Sequence, residues 1–103
     1  MKLIMSTSPP EDAERIANEL VSEKLVACAN VIPGVRSHFW WEGSIRHTDE
    51  SILIMKTTPE LAGKAIRRIE ELHPYVVPEA VVLDITDGLP KYMAWLTAST
   101  WGG

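Results

Sequence analysis

The chain has 103 residues, of which 46% are apolar and 23% are charged. This composition is typical of one globular domain spanning residues 1–103, and it excludes a disordered chain. Ten basic residues against 14 acidic residues give a net charge of −4, which argues against nucleic-acid and anionic-membrane partners. The single cysteine, Cys28, excludes an intrachain disulfide. Because the N-terminal apolar stretch is too short for a signal peptide, we expect a cytoplasmic protein.

The first two predicted elements are a short strand over residues 2–6 and a helix over residues 9–23. Ser8 is expected to cap the helix, Pro9 suits its first position, and Glu11 completes a capping box. Apolar residues recur at helical spacing and form one face of this helix. They are Ala13, Ile16, Ala17, Leu20 and Val21.

A long β-hairpin is predicted over residues 25–57. Its first arm begins with residues 25–32, which are apolar on both alternating faces and predict a central strand covered by helices on one side. Pro33 and Gly34 interrupt this arm as a bulge or bend, because proline has no N–H to donate to a neighbouring strand. A turn at residues 42–44 leads into the return strand.

The second predicted helix begins at Pro59 and ends at His73, because the residue before Pro74 avoids the helical region. A last strand over residues 81–86 and a short helix over residues 90–99 follow. The order β-α-β-β-α-β plus a terminal helix predicts an α+β fold of the ferredoxin-like, split-βαβ type. In this fold two helices cover one face of an antiparallel sheet.

The hairpin is longer than so small a domain needs, and it carries the adjacent aromatic residues Phe39, Trp40 and Trp41. An isolated two-stranded ribbon is marginally stable in water, and an exposed aromatic edge promotes aggregation. We therefore predict that the ribbon packs against further copies of the chain in a closed homo-oligomer.

Catalytic motifs with a known mechanism are absent from the sequence. It contains no phosphate-binding loop and no GxGxxG, HExxH, GxSxG or CxxC pattern. No pair of nucleophile and general base can be assigned either. We therefore expect a protein that is not an enzyme, and these patterns lead no further than an oligomeric ferredoxin-like domain.

Three segments resemble the signature of the CutA family: LVACANVIPGVRS at residues 25–37 with WWEG at 40–43, HPYVVPE at 73–79, and YMAWL at 92–96. The resemblance covers essentially the whole chain, in order. It implies a divalent-cation tolerance protein that forms a tight homotrimer, similar in shape to PII signalling proteins, with strand pairing between subunits. It also implies that copper(II) or another divalent cation binds, and it implies no organic cofactor.

Three residues in or beside these segments are candidate metal ligands. Cys28 offers a soft thiolate, and the alternative is a small buried hydrophobic residue. His73 and Glu79 flank a proline-bounded loop and offer an imidazole and a carboxylate. The alternative is that His73 caps the carbonyl groups of the second helix and Glu79 is a structural acceptor.

A ligand pocket between subunits is also predicted, lined by Tyr75, Trp41 and Trp95 with Lys56. Aromatic walls and one cation suit a small anionic ligand. The alternative, which the residue types favour, is that the rings bury apolar area at an interface. His38 and His47 lie on opposite arms of the hairpin and could bind a metal as a pair, but neither matches a family motif, so we expect surface positions. Asp84 and Asp87 could add carboxylates, which a solvated strand end explains equally well.

Three functions remain open from the sequence. The leading hypothesis is a trimeric divalent-metal, mainly copper, binding protein that acts in cation tolerance. The second is a PII-like signalling module that binds a small metabolite in its intersubunit clefts. The third is a trimeric scaffold. The sequence names no protein partner for any of them.

Overall fold

A computed structural model describes residues 1–100 of the chain. It contains four strands and three helices in the order β-α-β-β-α-β-α. They are β1 (Lys2–Ser8), α1 (Pro10–Ser22), β2 (Cys28–Trp41), β3 (Ser44–Thr57), α2 (Pro59–Leu72), β4 (Val81–Asp84) and α3 (Pro90–Ala98). The predicted elements are all present, with shifts of a few residues at their ends.

The four strands form one antiparallel sheet in the order β2-β3-β1-β4. This order, with two helices on one face, is the ferredoxin-like, split-βαβ arrangement that the element order predicted. The prediction of a central strand over residues 25–32 is wrong, because β2 lies at one edge of the sheet and begins only at Cys28. This edge strand carries apolar residues on both faces, and within the chain its outer edge has no neighbouring strand among residues 1–100.

The core lies between the sheet and helices α1 and α2. Every residue at its centre is almost fully removed from solvent, which is the main stabilising term for a domain of this size. These residues are Ile4, Ala13, Ile16, Leu20, Val26, Leu53, Met55, Ala65 and Ile69. The apolar face predicted for α1 is confirmed except for Val21, which is exposed.

Helix α1 starts differently from the prediction. It begins at Pro10, with Pro9 at the N-cap, and no side chain caps its first turn. The Ser8 hydroxyl instead donates to the Pro9 carbonyl oxygen at 3.0 Å, because Ser8 is the buried last residue of β1. The capping role predicted for Ser8 is therefore wrong.

The same helix ends in a Schellman motif centred on Lys24, whose φ is +58°. The Lys24 N–H donates to the Val21 carbonyl at 3.0 Å, and the Leu25 N–H donates to the Leu20 carbonyl at 3.1 Å. These two bonds satisfy carbonyl groups that the helix leaves without partners. They turn the chain sharply, and Val26 is buried directly after the turn.

The hairpin of β2 and β3 spans the whole molecule. Strands of 14 residues are roughly 45 Å long at the usual rise per residue, and the longest dimension of the molecule is 45 Å. The register shifts between Ile32 and Val35, so the bulge predicted at Pro33 and Gly34 is confirmed. The turn itself consists of Glu42 and Gly43, both with positive φ, as in a type I′ turn.

Helix α3 lies on the face of the sheet opposite to α1 and α2. Its Tyr92 ring lies near Lys56, which alternates along β3 with the buried Met55 and Thr57. This helix covers only a small part of that face, and all four residues of β4 are exposed. Within residues 1–100, no helix is both long and apolar enough to cross a membrane.

Candidate functional site

A cleft of about 460 Å³ lies where the ribbon leaves the body of the sheet. Its walls come from the end of β1, the outer parts of β2 and β3, and the loop between α2 and β4. The lining residues are Thr7, Phe39, Trp41, Arg46, His47, Thr48, Glu50, Tyr75, Val77 and Glu79. This places three predicted residues, Trp41, Tyr75 and Glu79, in one site.

A buried carboxylate lies at the edge of this cleft. Glu50 is only 5% exposed, and the Tyr75 hydroxyl donates to its Oε2 at 2.9 Å. Burial, together with the hydrogen bond to Glu50, raises the pKa of Tyr75 to about 12. Tyr75 therefore stays protonated at neutral pH and remains a donor to the carboxylate.

His73 fastens the loop that carries Tyr75. Its Nε2 donates to the Thr7 carbonyl oxygen at 2.6 Å, and its Nδ1 accepts the Tyr75 N–H at 3.1 Å. The buried ring lies 4.7 Å from the Tyr75 ring. Because both nitrogens are bonded to the backbone, neither has a lone pair free for a metal, and the ring does not cap the carbonyl groups of α2 as the alternative expected. His73 positions Tyr75.

Glu79 fastens the other end of the same loop. Its backbone carbonyl accepts a bond of 2.7 Å from the hydroxyl of buried Ser6, while the residue borders the cleft. Strand β1 thus holds the loop at two consecutive residues, through the Thr7 carbonyl and the Ser6 hydroxyl. Both of these hydrogen bonds join the loop to β1, which lies between β3 and β4. The loop wall of the cleft is therefore held by an interior strand of the sheet.

The remaining predicted residues form a separate cluster under helix α3. The Cys28 sulfur lies 3.9 Å from the Lys56 ammonium and 3.6 Å from the Tyr92 hydroxyl, and the Tyr92 ring is 5.6 Å from that of Trp95. Lys56 and Trp95 therefore do not line the cleft within one chain, and the pocket predicted between subunits stays a prediction. Cys28 is partly buried, between the exposed thiolate and the fully buried residue that the two interpretations expected.

The predicted metal ligands are not brought together in one subunit. Among residues 1–100, no group of three His, Cys, Asp or Glu side chains is placed to hold a metal ion. Cys28 belongs to the α3 cluster, Glu79 to the cleft, and His73 to the structural hydrogen bonds of the loop. As a set of three, they do not fit a divalent cation within one subunit.

The two aspartates singled out in the sequence have structural partners. Asp84 forms an ion pair with Lys2, which lowers the pKa of its exposed carboxyl. The Asp87 carboxylate accepts the Gly88 N–H at 2.8 Å. Asp84 thus lies at the end of β4, and Asp87 lies in the segment that follows it. These positions agree with the alternative interpretation, a solvated strand end.

Glu50 and Arg46 are cleft residues that the sequence did not single out. Glu50 directly precedes the part of β3 in which every second residue is buried. A carboxylate at such a position needs a hydrogen-bond partner, and this is the signal that could have identified it. Its partner, Tyr75, is 25 residues away, so sequence spacing alone could not identify it.

These features define a class of protein: a small ferredoxin-like α+β subunit with an overlong ribbon and a cleft at the base of that ribbon. The family model for CutA1 divalent ion tolerance proteins matches residues 2–99. The divalent-cation tolerance protein CutA of Thermus thermophilus is 40% identical over 96% of this chain and 97% of that protein. The chain therefore belongs to the CutA1 divalent ion tolerance protein family.

Solved structures agree with this assignment. The crystal structure of CutA1 from Oryza sativa is 38% identical and has a TM-score of 0.95 over 99% of this chain and 94% of that chain. The PII-like protein CutA from Nostoc, in its apo form, is 38% identical and has a TM-score of 0.93 over 98% of each chain. The subunit fold is thus shared with a protein described as PII-like.

Proposed function

We propose that this protein acts in divalent-cation tolerance as a homotrimer that binds a divalent cation, copper(II) foremost, in the cleft at the base of the ribbon. It acts by binding and not as an enzyme. The cytoplasmic location expected from the sequence stays a prediction.

The charge of the cleft carries this proposal. The carboxylates of Glu50 and Glu79 border the cleft, and the guanidinium of Arg46 also borders it, so the acidic groups outnumber the guanidinium by two to one. Glu50 is buried, so its negative charge is poorly screened by water and favours a positive ligand. The sequence-based expectation of an anionic ligand needs the Lys56 ammonium, which within one chain lies beside Cys28 and not at this cleft.

Uncovered apolar surface supports the trimer. Large apolar residues on the ribbon, β4 and α3 are exposed in the single subunit, more than isolated surface residues account for. They include Ile32, Trp40, Ile45, Val81, Leu83 and Trp95. Association of three subunits would cover such surfaces around a closed axis and would bring donors from a neighbouring subunit to each cleft.

Copper(II) is the leading cation for a chemical reason. Copper(II) binds more tightly than the other first-row divalent ions to almost any nitrogen or oxygen site, so affinity alone does not identify the physiological metal. Titrations must therefore be made in a metal buffer that controls free copper.

The test is a Cu²⁺ titration of the assembled protein and of the Glu50→Gln and Glu79→Gln variants. We expect a fixed stoichiometry per subunit and at least about tenfold weaker binding in each variant, since each loses a charged ligand. Glu14→Gln, which neutralises an exposed carboxylate of α1, is the matched control. Equal affinity in all four proteins would overturn the cleft as the cation site, and light scattering at a monomer mass would overturn the trimer.

A second candidate function rests on the aromatic walls of the cleft. Phe39, Trp41 and Tyr75 border it together, and flat aromatic walls suit a small organic ligand. The similarity to the PII-like protein from Nostoc supports a signalling role of this kind. A thermal-shift screen of small metabolites tests it, because a ligand that binds only the folded protein raises the melting temperature. No shift with any compound would exclude this function for the compounds tested.

A further inference from the structure

The only two exposed histidines in residues 1–100 lie directly opposite each other on the ribbon. His38 of β2 pairs with His47 of β3, and their ring centroids are 4.5 Å apart at an interplanar angle of 60°. The third histidine, His73, is buried with both ring nitrogens bonded. The His38–His47 pair therefore contains all the accessible imidazole of the subunit.

The geometry of the turn explains why these rings lie so close. Glu42 and Gly43 form a two-residue turn, so the flanking pair Trp41–Ser44 exchanges hydrogen bonds and the pairs beyond it alternate. His38–His47 is the fourth pair from the turn and hence a pair without mutual backbone hydrogen bonds. In such pairs the strands bring the side chains closest together.

The spacing of the rings suits a shared metal ion. Bonds of about 2.0–2.1 Å from one ion to two imidazole nitrogens require those nitrogens to lie about 3–4 Å apart, depending on the angle at the metal. Rings with centroids 4.5 Å apart reach that separation by rotation of the side chains alone. No change in the backbone register is needed.

We propose that His38 and His47 form a two-point site for a divalent transition-metal ion with a preference for imidazole, namely Cu²⁺, Ni²⁺ or Zn²⁺. The neighbouring pairs on the same face are Arg36–Asp49, one basic and one acidic residue, and the apolar pair Trp40–Ile45, so the local charge is balanced. No third His, Cys, Asp or Glu in residues 1–100 completes a cluster. Water fills the remaining positions, so the ion exchanges readily and is not enclosed as in a structural zinc site.

This site adjoins the cleft, because His47 borders both, but it uses neither of the cleft carboxylates Glu50 and Glu79 and does not depend on the proposed function. Neighbouring residues of a strand point to opposite faces, so the histidine pair lies on the reverse of the ribbon from Arg46 and Thr48. His38 does not border the cleft, whereas His47 does. Because the ion clamps the two arms of the ribbon together, it stiffens the cleft wall that carries Trp41 and Arg46.

The test compares the whole protein with His38→Gln and with a double variant in which Ser37→His and His38→Ser exchange the two residues. The exchange keeps composition and charge but moves one imidazole to the other face of β2. In a Cu²⁺ titration we expect either change to weaken the ribbon site about 100-fold, because a two-point attachment becomes a one-point attachment. Electron paramagnetic resonance should detect two coordinated nitrogens in the parent protein and fewer in both variants.

The cleft variants separate this inference from the proposed function. Glu50→Gln and Glu79→Gln should leave the two-nitrogen copper signal unchanged. If His38→Gln and the exchange variant bind copper as tightly as the parent protein, with the same spectrum, the ribbon site does not exist, whatever the cleft variants do. If the two-nitrogen signal depends on His38 while the cleft variants bind normally, the ribbon site stands and the cleft loses its role as the cation site.

Discussion

Helices α1 and α2 cover the inner half of β3, whereas the outer half, beyond the bulge in its partner strand, has no covering layer in residues 1–100. On the inner half, Leu53 and Met55 are completely buried. On the outer half, Ile45 of the same strand is 56% exposed, and Trp40 opposite it is 71% exposed. The inner half of β3 is mostly apolar, whereas Ile45 is the one apolar residue of its outer half. The exposed apolar surface of the ribbon therefore comes mainly from Phe39, Trp40 and Trp41 of β2. Apolar side chains that extend beyond their own core indicate a partner surface.

The largest expected effect contrasts two residues of β3. Leu53→Ala should lower the free energy of unfolding by about 2–5 kcal/mol, because it leaves a cavity in a closely packed core. Ile45→Ala should cost less than Leu53→Ala, because within its own chain Ile45 is 56% exposed and its removal leaves no core cavity; its remaining cost reports the contacts of the proposed trimer. Urea unfolding at one protein concentration measures both. Similar losses for the two variants would mean that the assembled protein packs the ribbon as tightly as the core.

The second effect concerns assembly and not folding. Trp40→Ala and Trp41→Ala should each weaken subunit association by about 2 kcal/mol, or roughly 30-fold, if the rings are interface anchors. Light scattering on a dilution series measures the mass, and far-ultraviolet circular dichroism checks the subunit fold. Val76→Ala, at an exposed position in the cleft loop, is the control. Unchanged mass on dilution for both tryptophan variants would contradict the prediction.

A third effect appears only at alkaline pH. The folded protein raises the pKa of Tyr75 from 10.0 to about 12, so the folded state holds this proton more tightly than the unfolded chain. The stabilisation is complete below pH 10 and is lost as the pH rises towards 12.

Since Tyr75 is 36% exposed, solvent screening reduces this contribution to about 1 kcal/mol. Urea unfolding between neutral pH and pH 12 should therefore show a loss of stability that Tyr75→Phe lacks. A Tyr75→Phe variant with the same alkaline loss would place its origin elsewhere.

The smallest effect compares Lys24 and Glu42, the two residues other than glycine that have positive φ within residues 1–100. Lys24→Gly, at the end of α1, should raise the free energy of unfolding by about 0.5–1 kcal/mol, because glycine adopts a φ of +58° without steric cost. Glu42→Asn, at the tip of the ribbon, should gain about 0.5 kcal/mol, since asparagine is favoured in the first position of a type I′ turn. Thermal unfolding measures both. A loss of stability at either position would mean that the native side chain makes a contact worth more than the backbone strain.

The fold was largely predictable because its signals are local. The spacing of Ile16, Ala17 and Leu20 predicted the buried face of α1, and Pro33 with Gly34 predicted the bulge. The strand order was less accessible. Residues 25–32 have the apolar pattern of a central strand, and β2 lies at the edge because long-range pairing, and not its own composition, decided its neighbours.

The candidate site was only partly predictable. Family segments contain Trp41, Tyr75 and Glu79, which share the cleft, but also Trp95, which belongs to the α3 cluster. Lys56, proposed as the cation of the pocket and not from a family segment, belongs to that cluster too, beside Cys28. The residue types alone make all of these side chains candidate ligands or pocket residues. Which of them lie close together depends on loops that join distant parts of the chain, and the spacing of motifs along the sequence does not give distances in space.

By itself, the sequence determined the order and kind of the elements, the buried faces of the helices and the membership of a family. The elements and their buried faces follow from periodicity and backbone preferences within a few residues, whereas the family follows from the three segments that resemble the CutA signature. Only the tertiary structure decided that His73 holds a loop, that Glu50 meets Tyr75, and that His38 meets His47. Each of these contacts joins residues on different segments, and which segments meet depends on burial and strand pairing summed over the whole chain.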